Sequence, residues 1–293
     1  MFHIVYNPFA NRGGSLLYFQ AFIELLESEG RNYKTYPTDH PGHATELTQQ
    51  IIADGGKHII ALGGDGTVHE VINGYSAGDD VVFGILPAGT GNDVATTLGL
   101  PPEPKNVRIA AKAILEGKVK AIDYMENSNG EKSVLFFSYG IAAQMILAME
   151  GFATKTKSSY VRSIFQKVLG HKSATYQYSI DGGELITVEA DFLGMHNCIY
   201  GGGGMTLIKD AVVDDGYSEV FIVEHRGMAR RLRNLTALMA KKIHKQANVK
   251  IVKAKKLSIY SNNDNLCCSD GEILHLNKLE LRVVSGELKI FGE

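Results

Sequence analysis

The sequence predicts an α/β amino-terminal domain with a mostly parallel sheet, followed by a domain of mostly antiparallel β-strands. Over the first 120 residues, short apolar runs alternate with helical patterns. Fully apolar strands in a βαβα order are typical of parallel sheets that carry helices on both faces. After Ala121, strand-like runs dominate. We therefore predict two domains, 1–120 and 121–293, with a soft boundary because no long linker separates them.

In the first domain, four apolar runs predict strands, and helical spacing predicts the segments between them. Ser15 is placed to cap the first helix, which has apolar residues at 16, 19, 22, 23 and 26. The predicted strands are 3–6, 33–36, 58–62 and 81–86, and the two following helices are 44–53 and 68–75.

In the second domain, Asp181-Gly182-Gly183 is a hairpin signal between two strand patterns. The predicted strands are 134–139, 175–180, 186–193, 219–223, 257–261 and 279–284, and the predicted helices are 144–169 and 227–245. The stretch 133–149 has no charged residue, but polar residues interrupt it and it is short for a bilayer crossing. We predict a buried strand that turns into a helix.

Composition favours a soluble, cytoplasmic protein. The three cysteines are an odd number and lack C-x-x-C spacing, so we expect neither disulfides nor a zinc site. No pair among the ten histidines has H-x-x-x-H or other metal spacing, and surface or core roles are expected for them. The first residues lack the basic and apolar regions of a signal peptide.

Three glycine-rich turns follow predicted strands and precede helices. They are 7–15 (NPFANRGGS), 63–67 (GGDGT) and 87–93 (PAGTGND). The carboxyl ends of parallel strands share one edge of a sheet, so the turns should converge there. Glycine turns at helix N-termini bind phosphate oxygens, and Asp65 and Asp93 among such donors indicate an accompanying cation such as Mg²⁺. Any single turn could be only a tight connection between a strand and a helix, but the three together predict a nucleotide site. Because the sequence has no Walker-type motif, this is not the site of a P-loop enzyme.

These motifs resemble the diacylglycerol-kinase catalytic family, in particular its small bacterial lipid kinases. The segment 63–74 (GGDGTVHEVING) resembles the family's nucleotide signature, although NAD kinases and phosphofructokinases share its core. The turn 87–93 is more specific to lipid kinases. Further matches follow in order at 202–205 (GGGM), 214–216 (DDG) and 270–272 (DGE), so the resemblance covers nearly the whole chain. It implies an NAD-kinase/diacylglycerol-kinase-like fold, whose last strand, near 286–293, can return to the first domain.

The resemblance also implies an ATP-dependent kinase that phosphorylates a hydroxyl of a membrane lipid such as diacylglycerol. Asp65 and Asp93 would hold the catalytic Mg²⁺, and Glu272 would be the general base, with Asp270 as the fallback. A second, structural Mg²⁺ would bind Asp215 and the carbonyls of Val212 and Tyr217. ATP would contact Asn7, Pro8, Phe9, Ala10, Asn11, Thr38, Gly63, Gly64, Asp65, Gly66, Thr67, Val68, His69, Glu70 and Thr90.

The turn 139–143 departs from the family pattern. The family often has an aspartate in this turn, and here it reads YGIAA without an acidic residue. Because that aspartate contributes to recognition of the substrate hydroxyl in some members, the sequence does not specify which lipid is phosphorylated.

A basic segment suggests contact with a membrane. Residues 226–256 contain four arginines, seven lysines and no acidic residue, whereas the whole chain has a net charge of −2. On a helix 227–245, an apolar stripe (Leu232, Leu235, Leu238 and Met239) would lie opposite basic residues. These are Arg226, Arg230, Arg233, Lys241 and Lys245. They form either a solvated face or a docking face for anionic lipid at the inner surface of the membrane. Nucleic acid is not expected as a partner, since no binding motif for it is present.

Two other functions stay open from the sequence. One is an NAD-kinase-like enzyme with a soluble acceptor; the third glycine turn and the Asp-Gly-Glu motif argue against it. The other is a catalytically silent lipid-binding relative, which the presence of Asp65, Asp93 and Glu272 argues against.

Overall fold

The computed structural model describes residues 1–100, 107–149, 168–201, 205–262 and 265–292. Contacts divide the chain into two compact units: one comprises Met1–Tyr124 and the end of the chain from Val284, and the other holds most of the residues between them. The α/β unit followed by a mostly antiparallel β unit confirms the predicted fold class. The division at residue 120 stays a prediction.

The first unit is a parallel sheet with helices. Its strands run in the order β4-β3-β1-β2, and the carboxyl-terminal end of the last strand lies beside β4 through Ile290 and Phe83. The strands are β1 (Phe2–Tyr6), β2 (Tyr33–Pro37), β3 (His58–Gly63), β4 (Val82–Pro87) and β5 (Val119–Asn127), which crosses the boundary of the units. The helices are α1 (Ser15–Ser28), α2 (His43–Ala53), α3 (Asp65–Asn73), α4 (Asp93–Thr97) and α5 (Val107–Glu116).

Burial explains why these segments form these elements. β3 and β4 are buried along nearly their whole length, as expected for strands covered on both faces. In α1, the buried residues Ser15, Tyr18, Phe22 and Leu26 form one stripe at helical spacing. Leu16, which the sequence pattern assigned to this stripe, is exposed.

The second unit is antiparallel. β9 pairs on one side with β7 and β8, and also with β12, while β15 pairs with β7 and β16. Its strands are β6 (Lys132–Ser133), β7 (Phe136–Gly140), β8 (Ala174–Ile180), β9 (Ile186–His196), β10 (Tyr200–Gly201), β11 (Met205–Thr206), β12 (Ser218–Glu224), β13 (Val249–Ala254), β14 (Lys256–Ser261), β15 (Leu266–Ser269), β16 (Glu272–His275) and β17 (Lys278–Phe291). Its helices are α6 (Ile141–Met149) and α7 (Met228–Met239).

Two local predictions are confirmed. Asp181 and Gly182 have φ of 51° and 75°, and the N–H of Gly183 donates to the Ile180 carbonyl, so they form a tight turn in the connection between β8 and β9. The uncharged stretch is a buried strand, β7, that leads directly into α6. Among the helices of the described residues, none combines the length and apolar character that a bilayer crossing needs.

One predicted helix needs correction, and another lies largely outside the described residues. The predicted helix 144–169 is helical where the structure describes it, at 144–149 and 168–169, and 150–167 lie outside the described residues. The second helix ends at Met239 and not at 245, because Lys241 has φ of 57° and a separate 3₁₀ turn follows at Ile243–Lys245. A residue with left-handed φ cannot continue an α-helix.

Candidate active site

The parallel register brings the glycine-rich turns to one edge of the first sheet. Tyr6, the last residue of β1, is paired with Leu62 and Pro37, and Gly63 is paired with Pro87. The four strands therefore end at the same level. The turns that follow them lie side by side at the edge where α/β sheets bind their ligands.

The second and third turns are in direct backbone contact. A Cβ at Gly89 would lie 2.3 Å from the Cα of Gly64, and a Cβ at Gly63 would lie 2.3 Å from Oγ1 of Thr67. Only glycine permits this approach, since real Cβ atoms do not come so close to backbone. The contact therefore places the two turns directly beside each other, which is the arrangement that a shared phosphate site requires.

Side chains fix the third turn against the second. Asn92, with φ of 55°, accepts a hydrogen bond at Oδ1 from the N–H of Gly89 (2.9 Å) and donates from Nδ2 to the Gly89 carbonyl (3.0 Å). Oδ1 of Asp65 accepts the N–H of Val94 at 3.1 Å. Asp65 and the buried Asp93 are the first residues of α3 and α4, so a hydrogen bond links the two helix starts. Two carboxylates among hydroxyl and amide groups are a donor set that fits Mg²⁺.

The first turn is tied to the same edge. Asn7 accepts the N–H of Phe9 at its Oδ1 (2.9 Å), and Asn11 and Arg12 both have left-handed φ, 49° and 56°. Ser15 does not cap α1 as predicted: it is the first helical residue, and its hydroxyl donates to the Asn7 carbonyl at 2.8 Å. Its role is to hold the turn and not the helix end.

Three other residues of the predicted nucleotide set are held by the protein itself. Glu70 accepts the N–H of Ala44 at Oε2 (3.0 Å) and thereby fixes the start of α2. His69 is buried, and its carbonyl accepts a hydrogen bond from Asn73. Thr38 is buried and continues the ladder beyond β2, donating its N–H to the Tyr6 carbonyl (2.9 Å). All three shape the edge on which the turns lie.

In the second unit, the two acidic residues of the Asp-Gly-Glu motif have different environments. Asp270 is buried, and its carboxylate accepts hydrogen bonds from the Ser133 hydroxyl and from the N–H groups of Val134, Leu135 and Phe136, the last three at 2.9–3.0 Å. Glu272, at the start of β16, is exposed. The Glu272 carboxylate is accessible to solvent, whereas that of Asp270 fixes the segment 133–136 through its hydrogen bonds.

The predicted second metal site has a protein cation beside it. Oδ1 of Asp215 accepts the N–H of Tyr217 at 3.0 Å, and Oδ2 forms an ion pair with Lys253 of β13. The ammonium group neutralises the carboxylate that a metal would need. The three residues Val212, Asp215 and Tyr217 lie in one turn, but this set fits Mg²⁺ only if Lys253 moves away.

Comparison with known proteins identifies the family. A model described as the diacylglycerol kinase catalytic domain matches residues 1–127, and one described as the YegS C-terminal NAD kinase beta sandwich-like domain matches 137–292. The chain belongs to the diacylglycerol kinase catalytic family. It is therefore a kinase, and use of ATP with a divalent metal follows from the family.

Named relatives agree. A diacylglycerol kinase of Staphylococcus saprophyticus is 29% identical over 286 residues, covering 92% of this chain and 88% of the relative. One from Staphylococcus aureus is 28% identical over 280 residues, covering 92% and 85%. A crystal structure of a diacylglycerol kinase from Bacillus anthracis superposes with a TM-score of 0.77 at 25% identity, covering 100% of this chain and 96% of that one.

The structure describes one residue of the glycine-rich motif 202–205. Gly202, Gly203 and Gly204 lie outside the described residues, and Met205 begins the short strand β11.

The basic segment of this kinase differs from the predicted helical face. Arg226 precedes α7 and pairs with Glu224 (2.8 Å), whereas Lys241 and Lys245 follow the helix. Arg230 and Arg233 are on α7 itself. The charged residues therefore belong to three successive local structures and not to one face of a continuous helix. The exposed residues Met228 and Met239 lie at the two ends of α7.

One residue of this segment is a core residue that the sequence reading missed. Arg231 is buried, binds Asp191 at 2.6 Å and donates to the His171 carbonyl at 2.7 Å. Asp191 also contacts Nδ1 of His225 at 2.9 Å. The sequence does contain one indication of this burial. Arg231 precedes the apolar Leu235 by four residues, and this spacing puts both side chains on the same, buried face of α7.

Proposed function

We propose that this protein transfers the γ-phosphate of ATP, with Mg²⁺, to a hydroxyl of a membrane lipid of the diacylglycerol type. The backbone contact between Gly64 and Gly89 carries the proposal, because it joins two phosphate-type turns that each lead into a helix beginning with an aspartate. Phosphoryl transfer needs mostly positioning and charge neutralisation, which such a site supplies.

The proposed nucleotide site uses the turns at the sheet edge. The turns 7–11, 63–67 and 87–91 and the starts of α3 and α4 would bind the phosphates, aided by the hydroxyls of Thr67 and Thr90. Asp65 and Asp93 would hold Mg²⁺, which when bound neutralises charge on the phosphates. The set of residues proposed to contact ATP is the one that the sequence predicts.

The proposed general base is Glu272. Its exposed carboxylate would accept the proton of the lipid hydroxyl while the hydroxyl oxygen bonds to the γ-phosphorus. The bond from that phosphorus to the oxygen bridging to the β-phosphate breaks, and ADP leaves with that electron pair. Asp270 is not needed for proton transfer, since its oxygens accept four hydrogen bonds. We assign it the positioning of residues 133–136.

Peripheral contact with anionic lipid is part of the proposal. Exposed Arg233, Lys241 and Lys245 lie in the same segment as exposed Met228 and Met239. Basic groups near an anionic membrane surface contribute about 1 kcal/mol each, and apolar side chains add burial. A kinase of a membrane lipid needs such contact to reach its substrate.

Transfer of labelled phosphate tests the function directly. The full chain is incubated with γ-labelled ATP, Mg²⁺ and mixed micelles of diacylglycerol or of total membrane lipid, and the same mixture is offered NAD as a soluble acceptor. We expect label in the lipid, with losses of about 10²–10⁴ in kcat for Glu272→Gln, the range of general-base catalysis. Asp65→Asn should also lose activity, while the exposed Glu184→Gln should retain it.

The labelled species decides between the candidates. Label in the diacylglycerol supports the proposed substrate, and label in another lipid of the total extract replaces it. Label only in NAD would reject the lipid assignment.

Vesicle sedimentation tests the contact surface. Replacing Arg233, Lys241 and Lys245 together by glutamate should abolish binding to anionic vesicles and leave phosphorylation of a short-chain, water-soluble diacylglycerol unchanged. Equal sedimentation of both proteins would reject this surface.

A further inference from the structure

Three potential metal ligands meet in the connection between β2 and α2. Asp39, His40 and His43 each direct one ligand atom into a common space, and these atoms lie within 4.8 Å of one another. The rings of His40 and His43 are stacked, with centroids 4.6 Å apart and an interplanar angle of 11°. The sequence predicts no metal site at these histidines, because their spacing is H-x-x-H and not H-x-x-x-H. The turn between β2 and α2 nevertheless brings the two rings together.

Hydrogen bonding defines the protonation of the His40 ring. Its Nδ1 lies 3.0 Å from the Pro41 carbonyl, which can only accept, so Nδ1 carries the proton. In the neutral ring, Nε2 then bears a lone pair, and it lies 3.4 Å from Oδ1 of Asp39. Two electron-rich atoms thus face each other. A ring N–H bonded to a backbone carbonyl, with the other nitrogen free to ligate, is the usual arrangement of a metal-binding histidine.

His43 meets the same oxygen. Its Nδ1 is 2.7 Å from Oδ1 of Asp39 and 3.2 Å from the Asp39 backbone N–H, which donates toward it. At 2.7 Å, Nδ1 of His43 and Oδ1 of Asp39 either share a proton in a hydrogen bond or bind one metal ion in common. A metal ion would take the place of that proton.

The surroundings favour a cation at this place. The carboxylates of Asp39, Glu46 and Glu70 are all close enough to the His40 ring to act on it electrostatically, and each of them attracts a positive charge. These side chains are accessible to an ion from solvent: the exposed fractions are 73% for Asp39, 51% for His40 and 22% for His43.

We propose that Asp39, His40 and His43 form a binding site for a divalent transition metal ion of the zinc class. Two imidazole nitrogens and one carboxylate oxygen are a ligand set that prefers such ions to Mg²⁺. Three protein ligands leave a fourth, open coordination position. The site follows Thr38 at the edge of the sheet where the glycine turns lie, and its ligands do not include Asp65 or Asp93.

Metal titration of the chelator-treated full chain tests the site. Zn²⁺ alone is added in competition with a chromophoric chelator, and Co²⁺ is added separately because its visible absorption reports a low-coordinate site with nitrogen ligands. We expect one Zn²⁺ per chain, not displaced by millimolar Mg²⁺. His40→Gln and His43→Gln should each weaken binding at least about tenfold, and Asp39→Asn should do so as well.

A matched control separates this site from other histidines. His244 is also exposed but lies in the second unit, and His244→Gln should bind Zn²⁺ as the unaltered chain does. Thermal unfolding of each variant confirms that it is folded. Any of three results would overturn the proposal. They are no Zn²⁺ binding at micromolar concentration, binding by the three variants as tight as by the unaltered chain, and displacement of Zn²⁺ by Mg²⁺. None of these outcomes depends on kinase activity.

Discussion

Replacing Asp270 by asparagine separates a positioning role from a catalytic one. In the folded protein, Oδ1 of Asp270 accepts from Ser133, Leu135 and Phe136, and Oδ2 accepts the Val134 N–H at 2.9 Å. Asparagine can reproduce the contacts of one oxygen only. Its amide nitrogen would then face another donor, the Val134 N–H.

The expected loss of stability follows from these contacts. An unsatisfied buried N–H costs about 1–3 kcal/mol, and each of the three remaining bonds weakens by about 1 kcal/mol when its acceptor loses its charge. The lower desolvation cost of a neutral amide offsets part of this sum. We expect a net loss of about 2–4 kcal/mol. Backbone strain adds little, because the φ of 48° at this position is one that asparagine also tolerates.

The assay compares this variant with Glu272→Gln. Urea unfolding gives the free energy of unfolding, and steady-state phosphorylation of diacylglycerol, at a temperature where both variants are folded, gives kcat. Glu272 is exposed, so its variant should change stability by less than about 0.5 kcal/mol but lose about 10²–10⁴ in kcat. Asp270→Asn should show the reverse: lower stability, and kcat within about tenfold of the unaltered enzyme.

The pH dependence of kcat gives a second criterion. If Asp270 only positions residues 133–136, its variant should keep the acidic limb of the profile, and Glu272→Gln should lose it. A loss of kcat in Asp270→Asn equal to that in Glu272→Gln, with unchanged stability, would refute the assignment of roles.

Two further predictions concern the glycine contact and a buried histidine. Gly89→Ala should lower the free energy of unfolding by about 1–3 kcal/mol and weaken ATP binding, because the new methyl group would overlap Gly64. Gly170→Ala is the control, since the space around Gly170 is open. If calorimetry gave Gly89→Ala the same ATP affinity as the unaltered chain, the proposed site would be contradicted. Burial lowers the pKa of His196 to about 3, and the charge of Asp270 opposes this only in part. The unfolded chain, with a histidine pKa of about 6.5, then binds more protons, so stability should fall as pH drops from 6.5, by about 2 kcal/mol at pH 5. Urea unfolding at pH 7 and pH 5 measures this decrease in the free energy of unfolding. In His196→Leu the decrease should be smaller than in the unaltered chain by about 2 kcal/mol, and an equal decrease in both would contradict the burial of a neutral ring.

Much of the fold was predictable because local patterns agree with the global structure. The continuous apolar runs at 58–62 and 81–86 indicated strands covered on both sides, and the structure buries them so. The hairpin at Asp181 followed from turn chemistry alone. Helix ends were less predictable: α7 stops at Met239 because Lys241 adopts a left-handed conformation, which the amphipathic pattern does not encode.

By itself, the sequence determined the order of the strands and helices from β1 to β4, the three glycine turns and, since parallel strands end at a common edge, their convergence. Only the tertiary structure decided which of two neighbouring acids is accessible. Asp270 is buried because it binds N–H groups more than 130 positions away in the chain, whereas Glu272 is exposed. The pairing of Asp215 with Lys253 also joins residues distant in sequence. Burial and ion pairing depend on such long-range contacts, and local periodicity carries no information about them.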